Sequence, residues 1–243
     1  YGLYWPTQMN MKLDCDGGVI CLSSNTGWLI DSVEYPPAIS RTSYARGTDA
    51  GEEWGYTATP TPAATNEGIT LTMHRLAAPE VAPESQIFSG ALSITVDIPE
   101  GATLRYTMDG STPTMENGRT STTGKLSTSG TRVYRFALFQ DGCLSSPVVT
   151  RSYIKRDKSF NIPVVSVVTD PDHLYDPTIG FLTKGTNGRR GKGTSEYCNW
   201  NHDWDRPVNF EMLDPQTGKS LINMEADMSR CGGHSKGFTP FSF

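Results

Sequence analysis

The chain has 243 residues, 24 Gly and 16 Pro among them, with 36% hydrophobic side chains and a formal net charge of −5. That is length for two or three domains, and Gly and Pro spread so widely favour short strands joined by turns over long helices. Residues 1–66 carry three basic and seven acidic side chains, residues 67–155 eight of each, and residues 156–243 ten against eleven, so no basic domain exists and no nucleic-acid partner is expected.

No apolar run reaches the roughly eighteen residues that a membrane-spanning helix needs. The opening Tyr1-Gly2-Leu3-Tyr4-Trp5-Pro6 has no basic region leading into an apolar core. Any export signal is therefore expected to have been removed or to lie outside this sequence. The five cysteines (Cys15, Cys21, Cys143, Cys198, Cys231) are an odd count without a Cys-x-x-Cys pair. They write neither a zinc site nor a dense disulfide framework, and at most one or two bridges. Across a hairpin centred on Asp16-Gly17-Gly18, Cys21 faces Leu13 more nearly than Cys15, so unpaired, half-buried thiols are expected there.

In the first segment, strands are expected over residues 9–13, 19–22 and 28–35, separated by a Gly turn and by Asn25-Thr26-Gly27. Trp28, Ile30 and Val33 alternate only partly, which predicts a bulge near Asp31-Ser32. Thr59-Pro60-Thr61-Pro62-Ala63-Ala64-Thr65-Asn66 forbids ladder bonds at its prolines, and a boundary is placed there. Asp16-Gly17-Gly18-Val19-Ile20-Cys21-Leu22, Ile30-Asp31-Ser32-Val33-Glu34-Tyr35-Pro36, Ser43-Tyr44-Ala45-Arg46 and the closing Pro-Thr stretch together resemble the C-terminal half of a lamin-tail domain. The resemblance covers most of residues 11–66 and implies part of an immunoglobulin-like sandwich, entered midway.

The second segment offers strands over residues 92–98, 104–107 and 133–139. Leu92, Ile94, Val96 and Ile98 recur at period two, as in a half-buried strand. Tyr106-Thr107-Met108-Asp109-Gly110-Ser111-Thr112-Pro113-Thr114 is a strand running into an Asp-Gly turn. With Tyr134, Phe136 and Leu138 and an exit through Ser145-Ser146-Pro147-Val148 to Tyr153, it resembles the chitobiase C-terminal, fibronectin type III-like module. That implies a small β-sandwich used as spacer or docking unit, with Asp109 a turn former and not a catalyst.

The third segment opens on Ile162-Pro163-Val164-Val165-Ser166-Val167-Val168-Thr169-Asp170, an apolar run that reads as a buried strand. Asp170-Pro171 caps a short helix through Leu174 and Tyr175. A Gly-rich basic loop over residues 184–194 reads as a mobile surface loop, and it lacks the phosphate-loop spacing because Thr186 takes the first Gly position and Gly193 the hydroxyl position. An aromatic cluster follows (Tyr197, Trp200, Trp204), then a hairpin with strands over 206–213 and 219–228.

Ile162 to Pro171 as written, Leu174-Tyr175-Asp176-Pro177-Thr178-Ile179-Gly180, Arg206-Pro207-Val208-Asn209-Phe210-Glu211 and Arg230-Cys231-Gly232-Gly233-His234-Ser235-Lys236 resemble the opening part of the CotH family, the spore-coat protein H-like atypical kinases. In an intact parent the resemblance implies Mg-ATP-dependent phosphate transfer to a protein, with Arg230, Gly232, Gly233, Ser235 and Lys236 near the nucleotide. The family pattern continues through a Pro-x-Lys-Ser step, where this chain has Pro240-Phe241-Ser242, so Phe241 stands in the lysine's place.

Each candidate site has a plain structural alternative. The Gly232-Gly233 pair can bring backbone N–H groups and the Arg230 fork against an anion, or simply bend the chain. Gly233-His234-Ser235-Lys236-Gly237 fits the spacing of a hydrolase nucleophile elbow, but Pro240 forbids the helix that must follow and no histidine lies downstream. Asp170, Asp172, Asp176, Asp203 and Asp205 lack the loop glycine and final Glu of a calcium loop and read as caps and turns. His74, His173, His202 and His234 are too scattered for a metal set, and no metal site is expected. Tyr197, Trp200 and Trp204 could be a sugar-stacking platform or core.

The expected fold is mainly β: tandem immunoglobulin-like and fibronectin-like sandwiches (1–66 and 67–155) followed by a partial α+β CotH-like domain (156–243). The expected protein is secreted or on the cell surface, not an enzyme as this chain alone, with no cofactor of its own and Mg-ATP only in the parent. Its partner is a protein or a cell-surface glycan. A non-catalytic adhesion or carbohydrate-binding protein is the alternative. No catalytic residue is assigned.

Overall fold

The computed structural model describes residues 13–39, 42–191 and 196–231. Their regular structure is mainly strand, and they form two compact units: residues to Arg75 with Gly142–Leu144, and Leu76–Asp141 with Ser145 onward.

The first unit holds two hairpins. β1 (Gly18–Ser23) pairs antiparallel with β2 (Leu29–Tyr35) around a turn closed by Gly27 N–H on Ser24 O at 3.0 Å. The turn needs a positive φ, and Gly27 supplies +87°. The irregularity in β2 falls one residue earlier than Asp31-Ser32. Leu22 faces Asp31 while Ser23 faces Leu29, so Ile30 is the extra residue. Leu13, expected to end a strand, is irregular, and the rest of that expected strand lies outside the described residues. All five cysteines are free, and Cys15 and Cys21 are exposed instead of half-buried. β3 (Ser43–Arg46) pairs with β4 (Trp54–Thr57), where Tyr44 stacks on Trp54 at 5.4 Å. Arg46 lies over the same Trp54 ring and forms an ion pair with Asp31 of β2 at 2.7 Å.

The second unit opens with a two-sheet sandwich. One sheet has the order β10 (Lys125–Thr128), β7 (Leu92–Val96), β5 (Val81–Ala82). The other has the order β6 (Gln86–Phe88), β12 (Val149–Lys155), β11 (Arg132–Phe139), β8 (Thr103–Thr107), β9 (Arg119–Ser121). Between them Val81, Phe88, Ile94, Val96, Leu104, Tyr106, Tyr134, Phe136, Leu138 and Tyr153 form one apolar core. The period-two run of the sequence reaches it: Ile94 and Val96 are buried, with Leu92 and Ile98 packed at the rim. Burial pushes the Tyr153 phenol well above its ordinary range, and its hydroxyl donates to Pro83 O at 2.8 Å.

Onto this sandwich is docked a three-stranded antiparallel sheet, β13 (Val164–Val168), β16 (Asp205–Leu213), β17 (Ser220–Ser229). β13 is shorter than the apolar run and is not buried on both faces. Val168 is buried, while Val165 and Val167 are 52% and 48% exposed, since among the described residues no second layer covers that side of the sheet there. α1 (Pro171–Tyr175) begins where the sequence places it, with Asp170 accepting from Asp172 N–H at 3.2 Å. The same carboxylate accepts from Thr112 N–H at 2.8 Å, beside the Asp109-Gly110 turn. Burial works to raise the Asp170 pKa, but the Thr112 and Asp172 N–H donors outweigh it and hold it below the ordinary range. Short strands β14 (Arg189–Arg190) and β15 (Tyr197–Cys198) pair with one another, giving part of the Gly-rich loop regular structure.

Gly218, in the turn between β16 and β17, sits at φ +74°, and a Cβ added there would meet Ile87 O at only 2.6 Å. The backbones touch because Ile87 N–H donates to Gly218 O at 2.7 Å. Gly218→Ala is expected to cost about 1–3 kcal/mol, from the forced left-handed backbone and the close approach to β6. Urea unfolding of the purified chain checks this; an unchanged midpoint would show that the turn can move aside.

Candidate functional site

Where the three-stranded sheet meets the sandwich, a polar network crosses the junction. Glu211 on β16 is fully buried. Asn223 Nδ2 on β17 donates to its Oε1 at 2.6 Å, and Ser85 Oγ, just before β6, makes a short hydrogen bond to the same oxygen. Ser85 Oγ in turn accepts from Ser152 N–H at 3.0 Å, and the Ser152 hydroxyl pairs with Ser166 Oγ at 2.8 Å. Asn209 Nδ2 extends the chain by donating to Asn223 Oδ1 at 2.8 Å. Glu211 Oε2 is sealed from solvent without a hydrogen bond of ordinary geometry. Burial raises the Glu211 pKa; the Ser152 and Ser85 hydroxyls and the Arg151 guanidinium oppose it without cancelling it.

Above this network runs an open groove of about 500 Å³. One wall is residues 148–151 with Glu84 and Ser85; the other is Ser220, Leu221, Asn223, Met224 and Glu225 of β17, with Asn209 between. A smaller hollow of about 250 Å³ lies at the Tyr106 to Asp109 turn. Asp109 is spent on that turn: its Oδ1 accepts from Ser111 N–H at 3.0 Å and from Ser111 Oγ at 2.6 Å, which holds its carboxyl below the ordinary range. Two carboxylates, one guanidinium and a set of amides and hydroxyls suit the groove to hydrogen-bonded docking.

The residues named from sequence fall elsewhere. Gly232, Gly233, Ser235 and Lys236 lie outside the described residues. Arg230 is described and is buried, 7% exposed, donating to Phe181 O at 3.4 Å, with burial lowering its pKa. Tyr197 is 64% exposed, Trp200 and Trp204 are half-buried, and Trp204 stacks on His202 at 4.1 Å with the Arg206 guanidinium over its ring. Asp170 is a helix cap, and Asp176 accepts from Thr178 and Ile179 N–H groups in the following turn. Among the described residues no group of three His, Cys, Asp or Glu side chains could hold a metal ion. No helix among them is long and apolar enough to cross a membrane. Sequence reasoning missed the groove and its network: in the alternation of β16 the apolar phase is Val208, Phe210 and Met212, and Glu211 falls on the opposite phase with Asn209.

The fold is that of a β-sandwich protein. Residues 83–150 match the family model of the Chitobiase/beta-hexosaminidase C-terminal domain, a span that runs from just after β5 into the start of β12. No curated protein matches the chain.

Proposed function

We propose that the chain serves as a non-catalytic spacer and docking segment of a secreted or cell-surface multidomain protein. The observation that carries this reading is the use made of the matched module's polar residues. Asp109 closes a turn, and Ser85, with Ser152 just beyond the matched span, bonds to Glu211 and Ser166 of the next sheet, so this chemistry is committed to architecture. The flanking resemblances to a lamin-tail domain and to the opening of a CotH-like kinase support a parent of that kind, in which Mg-ATP would be met near Arg230, Gly232, Gly233, Ser235 and Lys236.

A second reading, a carbohydrate-binding surface at Tyr197, Trp200 and Trp204, is favoured by one observation, the exposure of the Tyr197 ring. Calorimetry with Mg-ATP and a glycan array, run on the same purified chain, test both. No heat and no glycan signal are expected from the docking reading. ATP heat abolished by Lys236→Ala would overturn it in favour of nucleotide binding, and glycan binding lost in Trp200→Ala would transfer the function to the aromatic surface.

A further inference from the structure

The groove is bounded by strand edges. In the order β13-β16-β17, β17 is the last strand among the described residues, hydrogen-bonded to β16 alone. β12 pairs with β11 from Val149 to Tyr153, but its other flank meets β6 only at Tyr153, Ile154 and Lys155. Residues 149–152 therefore have no strand on that side among the described residues.

The lining fits that orientation. Side chains of a strand alternate between faces, so a channel lying on one face meets every second residue. This groove meets residues 148–151 without a gap on one wall and the neighbours Ser220 and Leu221, then Asn223, Met224 and Glu225, on the other. Neighbouring residues of both strands reach it, and Asn209 of the central strand β16 lies at its floor. Side chains already stand in for a missing strand: Asn223 Nδ2 reaches across to Thr150 O at 3.5 Å, and Arg151 Nη1 donates to the same carbonyl at 3.1 Å. The wall charges are Glu84 and Glu225 against Arg151, a net negative rim.

We infer that this groove is a docking slot for an extended, lysine- or arginine-bearing polypeptide segment of another protein, which adds as a strand between the edges of β17 and β12. Main-chain hydrogen bonds hold such a segment, and the two glutamates select its side chains. The chain of hydrogen bonds through Asn209, Asn223, Glu211 and Ser85 keeps the two edges at a fixed separation. The inference rests on the docking reading above and gives it a partner class.

Because main-chain bonding supplies most of the affinity, a generic strand-forming peptide is a fair probe. The experiment is hydrogen–deuterium exchange of the whole chain with about 2 mM acetyl-Lys-Val-Thr-Val-Lys-amide, compared with acetyl-Glu-Val-Thr-Val-Glu-amide and with the lysine peptide N-methylated at both valines. Slowed exchange, by about threefold or more, is expected at amides of residues 148–151 and 220–225 with the lysine peptide alone, and it is expected to weaken in Glu84→Gln, Glu225→Gln. No slowing, or slowing that the N-methylated or acidic peptide reproduces, would overturn the slot. The Mg-ATP experiment reads a different result, so the slot can fail while the docking reading stands, and nucleotide heat marks the failure of that reading separately from the exchange data.

Discussion

Phe136→Ala is expected to destabilise the second unit by about 3–5 kcal/mol, the range for removing a buried aromatic ring. Phe136 is fully buried at the centre of β11, parallel to Tyr134 at 5.7 Å and 6.1 Å from Tyr106. Alanine removes apolar area and leaves a hole between sheets whose neighbouring rings are themselves fixed. The Tyr153 hydroxyl is bonded to Pro83, so that ring cannot swing in without losing a hydrogen bond. Phe136→Leu fills most of the volume and is expected to recover more than half of the loss. Urea unfolding followed by far-UV circular dichroism measures both, and an alanine variant within about 1 kcal/mol of the unaltered chain would mean that the sandwich core is not closed as described.

Glu211 carries the second large effect, and it has a pH signature. Glu211→Ala leaves the buried Ser85 hydroxyl without its acceptor and takes from the Asn223 amide the nearer of its two, at an expected cost of about 2–4 kcal/mol. Glu211→Gln keeps an acceptor oxygen for both donors and removes the buried charge, so it is expected to be neutral or mildly stabilising at neutral pH. Burial raises the Glu211 pKa in the folded state, so the folded chain holds this proton more tightly than the unfolded one. The contribution of the protonated group is then complete below the unfolded value of about 4.3 and is lost as pH rises through the folded value. Unfolding free energies from pH 4 to 8 should fall with pH more steeply in the unaltered chain than in Glu211→Gln. Parallel curves would remove Glu211 as the titrating group. The charged or titratable neighbours to control for are Arg151 and Tyr153, and each can be replaced in turn.

Strands that bury one face announce themselves. Leu92, Ile94 and Val96 at period two, the alternation through Tyr134, Phe136 and Leu138, and the long hairpin of β16 and β17 all stand where the residues place them. The Asp170-Pro171 cap was equally legible, because its chemistry is local. The two- to four-residue strands β5, β6, β9 and β10 were not. Segments that short have no period to read, and their positions are set by partners distant in sequence, as when Gln86, Ile87 and Phe88 lie parallel to Tyr153, Ile154 and Lys155. The apolar stretch at β13 misled for the opposite reason. A run of valines predicts burial on both sides, but only assembly decides that Val168 is covered while Val165 and Val167 are not. The candidate site was the least visible, since Glu84, Arg151, Glu211 and Asn223 come from four separate stretches, and Glu211 alone falls in a stretch singled out from sequence, where no role was given to it.

The Ser85, Glu211 and Asn223 knot also bears on how the sandwich can be handled in isolation. A protein cut after Lys155 would keep every strand of both its sheets, yet it would leave Ser85, Thr150 and Ser152 bare on the outer surface of the larger one, with the Ile87 amide deprived of the Gly218 carbonyl. Such a cut exchanges a hydrogen-bonded seam for a raw margin prone to self-association. A piece that keeps this seam intact therefore extends through Ser229, with the hairpin retained over the sheet it covers.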